Sequence, residues 1–402
     1  MRTLFLVTTL LLAVPVCAQP VPSRAPNVPE FKPAFGGQTR AEAVITAAKL
    51  TVTEVATGLK SPWGIALLPD GRALVTEKNP GAIRIIGRDG SISPALAGLP
   101  AVDARGQGGM MGIALPPKGE VPNTVFWTYA EPRPSATGIT GNGLAVARGV
   151  LVDGPEPRMM DVKVIFRVQP TLDSVQHFGG RLVFAPDGTL FVTLGERSKL
   201  PGRVQAQDLA SDFGKIVRIN RDGSIPKDNP FVGKPGARPE IWSYGHRNVL
   251  AAALDSKGRL WESEMGPQGG DELNLVARAK DYGWPTITYG EEYTGAPIGA
   301  AITQQAGMEQ PVYYWDPVIA PSGMVVYSGK LVPEWRGNIL IGGLAVRSLV
   351  RLVLKGDKVV GEERLLTDRK ERIRDVVEGP DGALWLVTDA PDGKLLKVTA
   401  AN

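Results

Sequence analysis

The sequence predicts an all-β fold, a six-bladed β-propeller whose blades are four-stranded antiparallel sheets. Three observations point to it. A hairpin signal recurs along the chain, no stretch of about 12 residues or more has a helical period, and the 402 residues include 48 Gly and 34 Pro. This glycine and proline content is typical of many tight turns between short strands.

The N-terminus has the features of a secretory signal peptide. Arg2 precedes an apolar stretch over residues 4–16, which ends in small residues up to Ala18. The stretch is shorter than the roughly 20 residues that a membrane-spanning helix requires. We therefore expect residues 1–18 to be removed together with Cys17, the only cysteine, which leaves no thiol or disulfide chemistry. A soluble periplasmic or secreted protein without membrane insertion is predicted.

Residues 19–48 are Pro-rich and lack a hydrophobic period, so they predict an extended N-terminus, and residues 49–402 are assigned to a single propeller domain. Each hairpin signal in that domain is a hydrophobic strand, a turn and a second strand. Pro presets φ at the second position of such a turn, and Gly accepts positive φ. The turns lie at residues 68–71, 185–188, 379–382 and 255–258, with weaker copies at 121–124 and 333–337. Six hairpins over about 350 residues leave room for a four-stranded blade around each.

A second pattern follows the hairpins. Apolar and basic residues alternate at 82–85, 215–219, 349–352 and 394–398. This alternation predicts half-exposed outer strands.

The net charge excludes some partners. The chain has 45 Lys+Arg against 41 Asp+Glu, a formal charge of +4. Without a cluster of basic residues this small excess does not favour nucleic-acid binding. Zinc-ligand spacing, a Rossmann fingerprint and a Gly-x-Ser-x-Gly elbow are also lacking in the sequence.

The chain has two histidines, His177 and His246, each in a segment rich in glycine and polar residues. Either has a side-chain pKa range suited to a general base. The alternative for His177 is a hydrogen-bonded loop residue, and for His246 a packing group at a strand end. The sequence context of the two histidines favours His177 over His246 as a general base.

Two further segments suggest binding. Residues 264–272 combine three glycines with an Asp-Glu pair, which lets carbonyls and carboxylates converge as Ca²⁺ prefers, although a capped structural loop would explain them too. Arg372 and Arg374 are two residues apart, so on a strand both guanidinium groups face one side. Two such groups suit a ligand with several carboxylates, and a solvated charged loop is the alternative.

These motifs resemble the soluble pyrroloquinoline quinone (PQQ)-dependent sugar dehydrogenases, and most closely their bacterial aldose sugar dehydrogenase branch. The likeness runs from about residue 59 to residue 398, and the six-bladed propeller is the family fold. The motifs, in order, lie at residues 106–109, 177–182, 245–248, 266–272, 281–285 and 372–375.

The resemblance implies oxidation of an aldose at its anomeric carbon to a lactone, with PQQ and Ca²⁺ as cofactors. It identifies His177 as the general base and Arg247 as a catalytic cation beside the quinone. A structural Ca²⁺ site is implied at Glu272 and the backbone of Tyr282, in addition to a catalytic one at the carbonyls of Gly266 and Pro267. The implied PQQ contacts are Gln107, Arg247, Asn248, Tyr293, Gly343, Leu344, Ala345, Arg372 and Arg374. Electrons would pass to an external acceptor, and the protein would be a monomer or homodimer.

Three positions depart from the family pattern. Ala345 stands where the family has Lys, Gln176 where Asp or Asn often precedes the base, and Met265 where His or Gln precedes Gly266. Each change removes or alters a polar group near the expected quinone. Two alternatives therefore stay open: a Ca²⁺-dependent hydrolase of the lactonase type, and a non-catalytic propeller that binds a carbohydrate or a protein.

Overall fold

The computed structural model describes residues 21, 24–117, 121–134 and 140–401, which form a six-bladed β-propeller. The predicted signal peptide, residues 1–18, lies outside the described residues. In chain order the strands are β1 (Leu50–Leu59), β2 (Pro62–Leu67), β3 (Ala73–Glu77), β4 (Ala82–Ile86), β5 (Met110–Ala114), β6 (Thr124–Pro134), β7 (Thr140–Val152), β8 (Arg158–Arg167), β9 (Gly179–Phe184), β10 (Leu190–Leu194), β11 (Lys215–Ile219), β12 (Ile241–Tyr244), β13 (Val249–Leu254), β14 (Leu260–Glu264), β15 (Gln268–Gly269), β16 (Asp271–Leu275), β17 (Gly290–Glu291), β18 (Tyr313–Trp315), β19 (Pro321–Val326), β20 (Ile339–Gly343), β21 (Ser348–Lys355), β22 (Lys358–Leu365), β23 (Ile373–Glu378), β24 (Leu384–Thr388) and β25 (Gly393–Ala400).

Antiparallel pairing groups these strands into blades. Blade 1 is β2–β4, blade 2 is β5–β8, blade 3 is β9–β12, blade 4 is β13, β14, β16 and β18, blade 5 is β19–β22, and blade 6 is β23–β25 with β1. Because β1 pairs with β25, the first strand of the domain completes the blade formed by its last three strands, and this pairing closes the ring. Within the described ranges, helix is limited to α1 (Leu200–Arg203) and two 3₁₀ turns, Pro333–Trp335 and Thr367–Arg369. No helix there is long and apolar enough to cross a membrane.

The predicted hairpins are confirmed as the links between the first and second strands of the blades. At the first of them the N–H of Gly71 donates to the carbonyl of Leu68, and Gly71 has φ +88°. A side chain at that φ would be strained, so the turn requires glycine. The turns before β10 and β24 have the same hydrogen bond.

A buried polar side chain ties each blade to the next. Thr128 on β6 accepts a hydrogen bond from the N–H of Gly112 in its own blade, at 2.7 Å, and donates to the carbonyl of Gly180 in blade 3, also at 2.7 Å. In chain order, the tying residues at the six blade boundaries are Thr76, Thr128, Thr193, Asp271, Ser322 and Asp375. These bonds satisfy main-chain groups of the inner strands, which face another blade instead of a pairing strand.

Two expectations need correction. Blade 1 has three strands among the described residues rather than four. The alternating segments were predicted as half-exposed outer strands, and this is wrong for residues 215–219 on β11 and 349–352 on β21, which are buried throughout on the third strands of blades 3 and 5. The segment on β11 illustrates the reason. Its basic residues are satisfied inside the protein: the ammonium of Lys215 donates to three carbonyls, and Arg218 pairs with Asp187 and Asp228.

The segment before β1 packs along blades 4 and 5. Gln38 is buried and donates to the carbonyl of Pro311, while the N–H of Val44 donates to the carbonyl of Glu362. Residues 24–48 form no extended strand of their own.

A buried ion pair crosses the central channel. The guanidinium of Arg181, on β9 of blade 3, lies 2.9 Å from Asp375, on β23 of the opposite blade 6. The guanidinium also packs on the ring of Trp63 at 4.6 Å and donates to the carbonyl of Leu250. Four blades thus meet at one arginine, and the channel is obstructed at this level.

Candidate active site

A cavity of about 350 Å³ lies at one mouth of the channel, and all six blades contribute to its wall. Four of the predicted cofactor contacts line it: Gln107, Leu344, Arg372 and Arg374. The other lining residues are Trp63, Lys78, Met111, Phe178, Gly179, Leu250, Met265, Ala320 and Asp389.

His177 immediately precedes two of these lining residues. Its Nδ1 lies 3.1 Å from a carboxylate oxygen of Glu196, and its backbone N–H donates to the side chain of Gln107. An ionised Glu196 can only accept, so the Nδ1 carries the hydrogen and Nε2 is left as the basic nitrogen. Its φ of +47° is a strained conformation that these contacts hold in place.

Burial and the nearby charge of Arg247 lower the pKa of His177, while Glu196 acts in the opposite direction. The imidazole is therefore neutral at pH 7 and able to accept a proton. Burial alone would raise the pKa of Glu196, but the hydrogen bond from His177 and the charge of Arg247 hold it below its ordinary value. Carboxylate and imidazole form an oriented pair.

Arg247 is buried behind this pair. One guanidinium nitrogen donates to the carbonyls of Met265 and Gly266, both at 2.8 Å, and the group packs on the Trp284 ring at 5.2 Å. The side chain of Asn248 accepts from the N–H of Gly179. Asn248 thus positions the backbone next to His177.

Arg372 and Arg374 face the same side, as the strand spacing predicted. Both pair with Asp389, each through a contact of 2.7 Å, and Arg372 also donates to the carbonyl of Leu344. Burial opposes ionisation of Asp389, yet the two arginines hold its pKa below the usual range. Lys78 adds a third cation to the wall, with a pKa lowered by burial and by the charge of Arg374.

A cluster of carboxylates adjoins the cavity. His246 lies 3.1 Å from Glu264 and 3.6 Å from Glu262, and ligand atoms of all three lie within 4.8 Å of one another. One oxygen of Glu262 is buried without a hydrogen-bond partner. Burial and the charge of Glu264 raise the pKa of both Glu262 and Glu272 well above the ordinary value. A cation would relieve the crowding of these buried carboxylates and would give the orphaned oxygen of Glu262 a partner.

A void of about 10 Å³ beside this cluster would hold a single water-sized atom or ion. Of the predicted metal ligands, Gly266, Glu272 and Tyr282 line it, together with Glu264, and Pro267 does not. The carbonyl of Gly266 already accepts from Arg247. The structure therefore brings members of the two predicted Ca²⁺ sites to one place.

Other predicted contacts lie elsewhere. Tyr293 is 72 % exposed and does not line the cavity. Gly343 ends β20, and Ala345 lines a neighbouring cavity.

Sequence reasoning missed four residues that matter here: Lys78, Glu196, Glu264 and Asp389. A signal for the three acidic ones was present. Each follows the hydrophobic core of a second strand by a few residues, as does Glu77 in blade 1. In a propeller such strand ends meet around one mouth of the channel.

A family model described as Glucose / Sorbosone dehydrogenase matches residues 59–397. Aldose sugar dehydrogenase YliI of Escherichia coli strain K12 is 42 % identical over 347 residues, which cover 86 % of this chain and 91 % of that protein.

Solved structures agree with this match. The crystal structure of a glucose dehydrogenase has 47 % sequence identity and a TM-score of 0.82, covering 87 % of this chain and 100 % of that one. The PQQ-bound form of an aldose sugar dehydrogenase from Streptomyces coelicolor has 30 % identity and a TM-score of 0.70, covering 87 % and 99 %.

Proposed function

The chain belongs to the glucose/sorbosone dehydrogenase family, and from this membership we propose that it oxidises aldose sugars to lactones with PQQ and Ca²⁺. The observation that carries the proposal is the His177–Glu196 pair beside a cavity lined by Lys78, Arg372 and Arg374. A base, a positive wall and a space of about 350 Å³ occur together.

The cavity residues fit PQQ. The quinone carries carboxylates, and Lys78, Arg372 and Arg374 together bring three positive charges against the single negative charge of Asp389. The flat ring system would lie among Trp63, Phe178 and Leu344. When bound, PQQ supplies the two-electron acceptor for the hydride of the anomeric carbon.

The protein's own contribution is proton transfer and orientation. Nε2 of His177 takes the proton of the anomeric hydroxyl, while Glu196 holds the ring and stabilises the imidazolium that forms. Arg247 is fixed by the carbonyls of Met265 and Gly266, and it provides positive charge close to the reacting groups. The products are the lactone, one proton on His177 and two electrons with a second proton held by the cofactor.

We further propose Ca²⁺ sites at Gly266 and Pro267 and at Glu272 and Tyr282. The orphaned oxygen of Glu262 and the void bordered by Gly266, Glu272 and Tyr282 support a cation in this region. Export through the N-terminal segment and transfer of electrons to an external acceptor belong to the same proposal.

Dye reduction by the purified protein with glucose, after addition of PQQ and Ca²⁺, tests this function. We expect turnover, retention of quinone absorbance after gel filtration, and a loss of about 10²- to 10⁴-fold in kcat for His177→Ala with quinone binding kept. Absence of both turnover and retained absorbance would refute the proposal. Lactone hydrolysis without quinone would instead favour the hydrolase alternative.

A further inference from the structure

A second cavity, of about 760 Å³, adjoins the candidate active-site cavity. Ala345 lines it, and the preceding residue, Leu344, lines the first cavity. Its walls include the β20–β21 loop with Arg347 and the β22–β23 loop with Lys370. Both loops lie at the end of the propeller where the first cavity opens, since Arg372, which lines that cavity, follows Lys370 by two residues on the chain to β23.

This second cavity is strongly positive. Arg24, Arg347, Arg364 and Lys370 line it, and no carboxylate is among its described lining residues. Arg347 and Lys370 are exposed and have no ion-pair partner in the described part of the chain. Arg364 pairs with Glu362, but no ion-pair partner of Arg24, Arg347 or Lys370 lies in the described part of the chain, and three such cations around one cavity attract anions.

The acidic residues near this cavity do not pair with its exposed cations. Asp368 is exposed and does not line the cavity, and Glu371 pairs with Arg369 and Lys394. Two buried carboxylates lie close by as well. Glu362 pairs with Arg364 and accepts from Tyr313 and Trp315. The two oxygens of Asp316 accept from the N–H groups of Asn27 and Val28. Neither carboxylate neutralises Arg347 or Lys370.

Arg364 supplies an independent indication of a missing partner. Its side chain is 6 % exposed, yet Nε and Nη1 have no hydrogen-bond partner. The hydroxyl of Thr367, which also lines the cavity, is buried without a partner as well. Buried donors without a hydrogen-bond partner cost free energy, and one oxyanion would accept hydrogen bonds from several of them at once.

We propose that this cavity is a second binding site, which takes the phosphate or carboxylate group of a small molecule beside the candidate active site. Arginine forks and a hydroxyl are the groups that bind such oxyanions in proteins. The oxyanion is either a free ion or a substituent of the sugar. The inference concerns binding only and does not depend on the proposed oxidation.

Titration calorimetry with inorganic phosphate, glucose 6-phosphate and glucose tests the proposal on the full-length protein without PQQ, at low ionic strength. We expect saturable phosphate binding with a dissociation constant of about 1 mM or lower. The double variant Arg347→Ala/Lys370→Ala should weaken it by about tenfold or more. Both side chains are exposed, so the fold should be retained, and the melting temperature checks this.

The matched control is Arg336→Ala, an exposed arginine in the β19–β20 loop at the opposite end of β20 from Arg347. It should leave phosphate binding unchanged. Tighter binding of glucose 6-phosphate than of phosphate supports an oxyanion carried on the sugar, and equal binding supports a free one. Lack of saturable binding, or equal affinity in the double variant and the parent, would overturn the proposal.

Discussion

Glu196 determines what His177 can do. Because the carboxylate accepts from Nδ1, the basic lone pair is on Nε2, and loss of the negative charge would remove the preference for this tautomer. Asp389 has a comparable role for Arg372 and Arg374, whose guanidinium groups it holds side by side. In both cases an acidic residue at a strand end orients the group that the cavity needs.

Glu196→Gln should lower kcat by about 10²- to 10⁴-fold, because an amide does not select the same imidazole tautomer. Retention of PQQ should be close to that of the parent, since Glu196 does not line the cavity. Steady-state kinetics and quinone absorbance after gel filtration measure the two effects. An unchanged kcat would show that the pair has no catalytic role.

The pKa of His177 should lie below the ordinary histidine value, owing first to burial and then to the charge of Arg247. NMR titration of the imidazole protons measures it directly, and the chain has only two histidines to distinguish. The folded state then binds this proton less readily than the unfolded chain does. The free energy of unfolding therefore falls as the pH drops below 6.5, the ordinary pKa of histidine. A pKa at or above the ordinary value would contradict this environment.

Inner strands rely on side chains from neighbouring elements. Thr128→Val keeps the shape of the side chain but leaves the N–H of Gly112 and the carbonyl of Gly180 without their partner. We expect a loss of about 1–3 kcal/mol in the free energy of unfolding. Urea denaturation measures it, and Thr57→Val, at an exposed position of β1, is the control that should change little.

The strands β14 and β16 bring Glu264 and Glu272 together as a cross-strand pair. Repulsion between such carboxylates destabilises the fold unless a cation is bound, so chelation of Ca²⁺ should lower the melting temperature. Glu272→Gln should reduce this calcium response. The exposed Glu156→Gln is the control, and a full calcium response in Glu272→Gln would argue against a cation at this place.

The hairpins could be predicted from sequence because each turn has its own chemistry, as Gly71 illustrates. The pairing of β15 with β17 could not, since both are short and their contact depends on how blade 4 is folded. Tyr293 is a similar case: Gly295 predicts the turn that contains it, but the turn alone does not fix where the exposed side chain points. The position of His177 was predictable, whereas its partner Glu196 required knowledge of which strand ends meet.

Closure of the ring depends on distant parts of the chain. The strand β1 pairs with β25, and Asp375 in blade 6 accepts from the N–H of Ile65 in blade 1. Ties of this kind connect all six blade boundaries among the described residues. They hold the strand ends around the cavity at fixed distances, which is what a site built from every blade requires.

The ion pair between Arg181 and Asp375 has a kinetic consequence. Because it obstructs the channel, the sugar and the electron acceptor of the proposed oxidation would both reach the cavity through the same mouth. The lactone would leave before the electron acceptor binds, so the two substrates would bind in alternation, as in a ping-pong mechanism. Initial rates at several fixed acceptor concentrations should then give parallel lines in double-reciprocal plots, and intersecting lines would contradict this order, because they show that both substrates are bound at once.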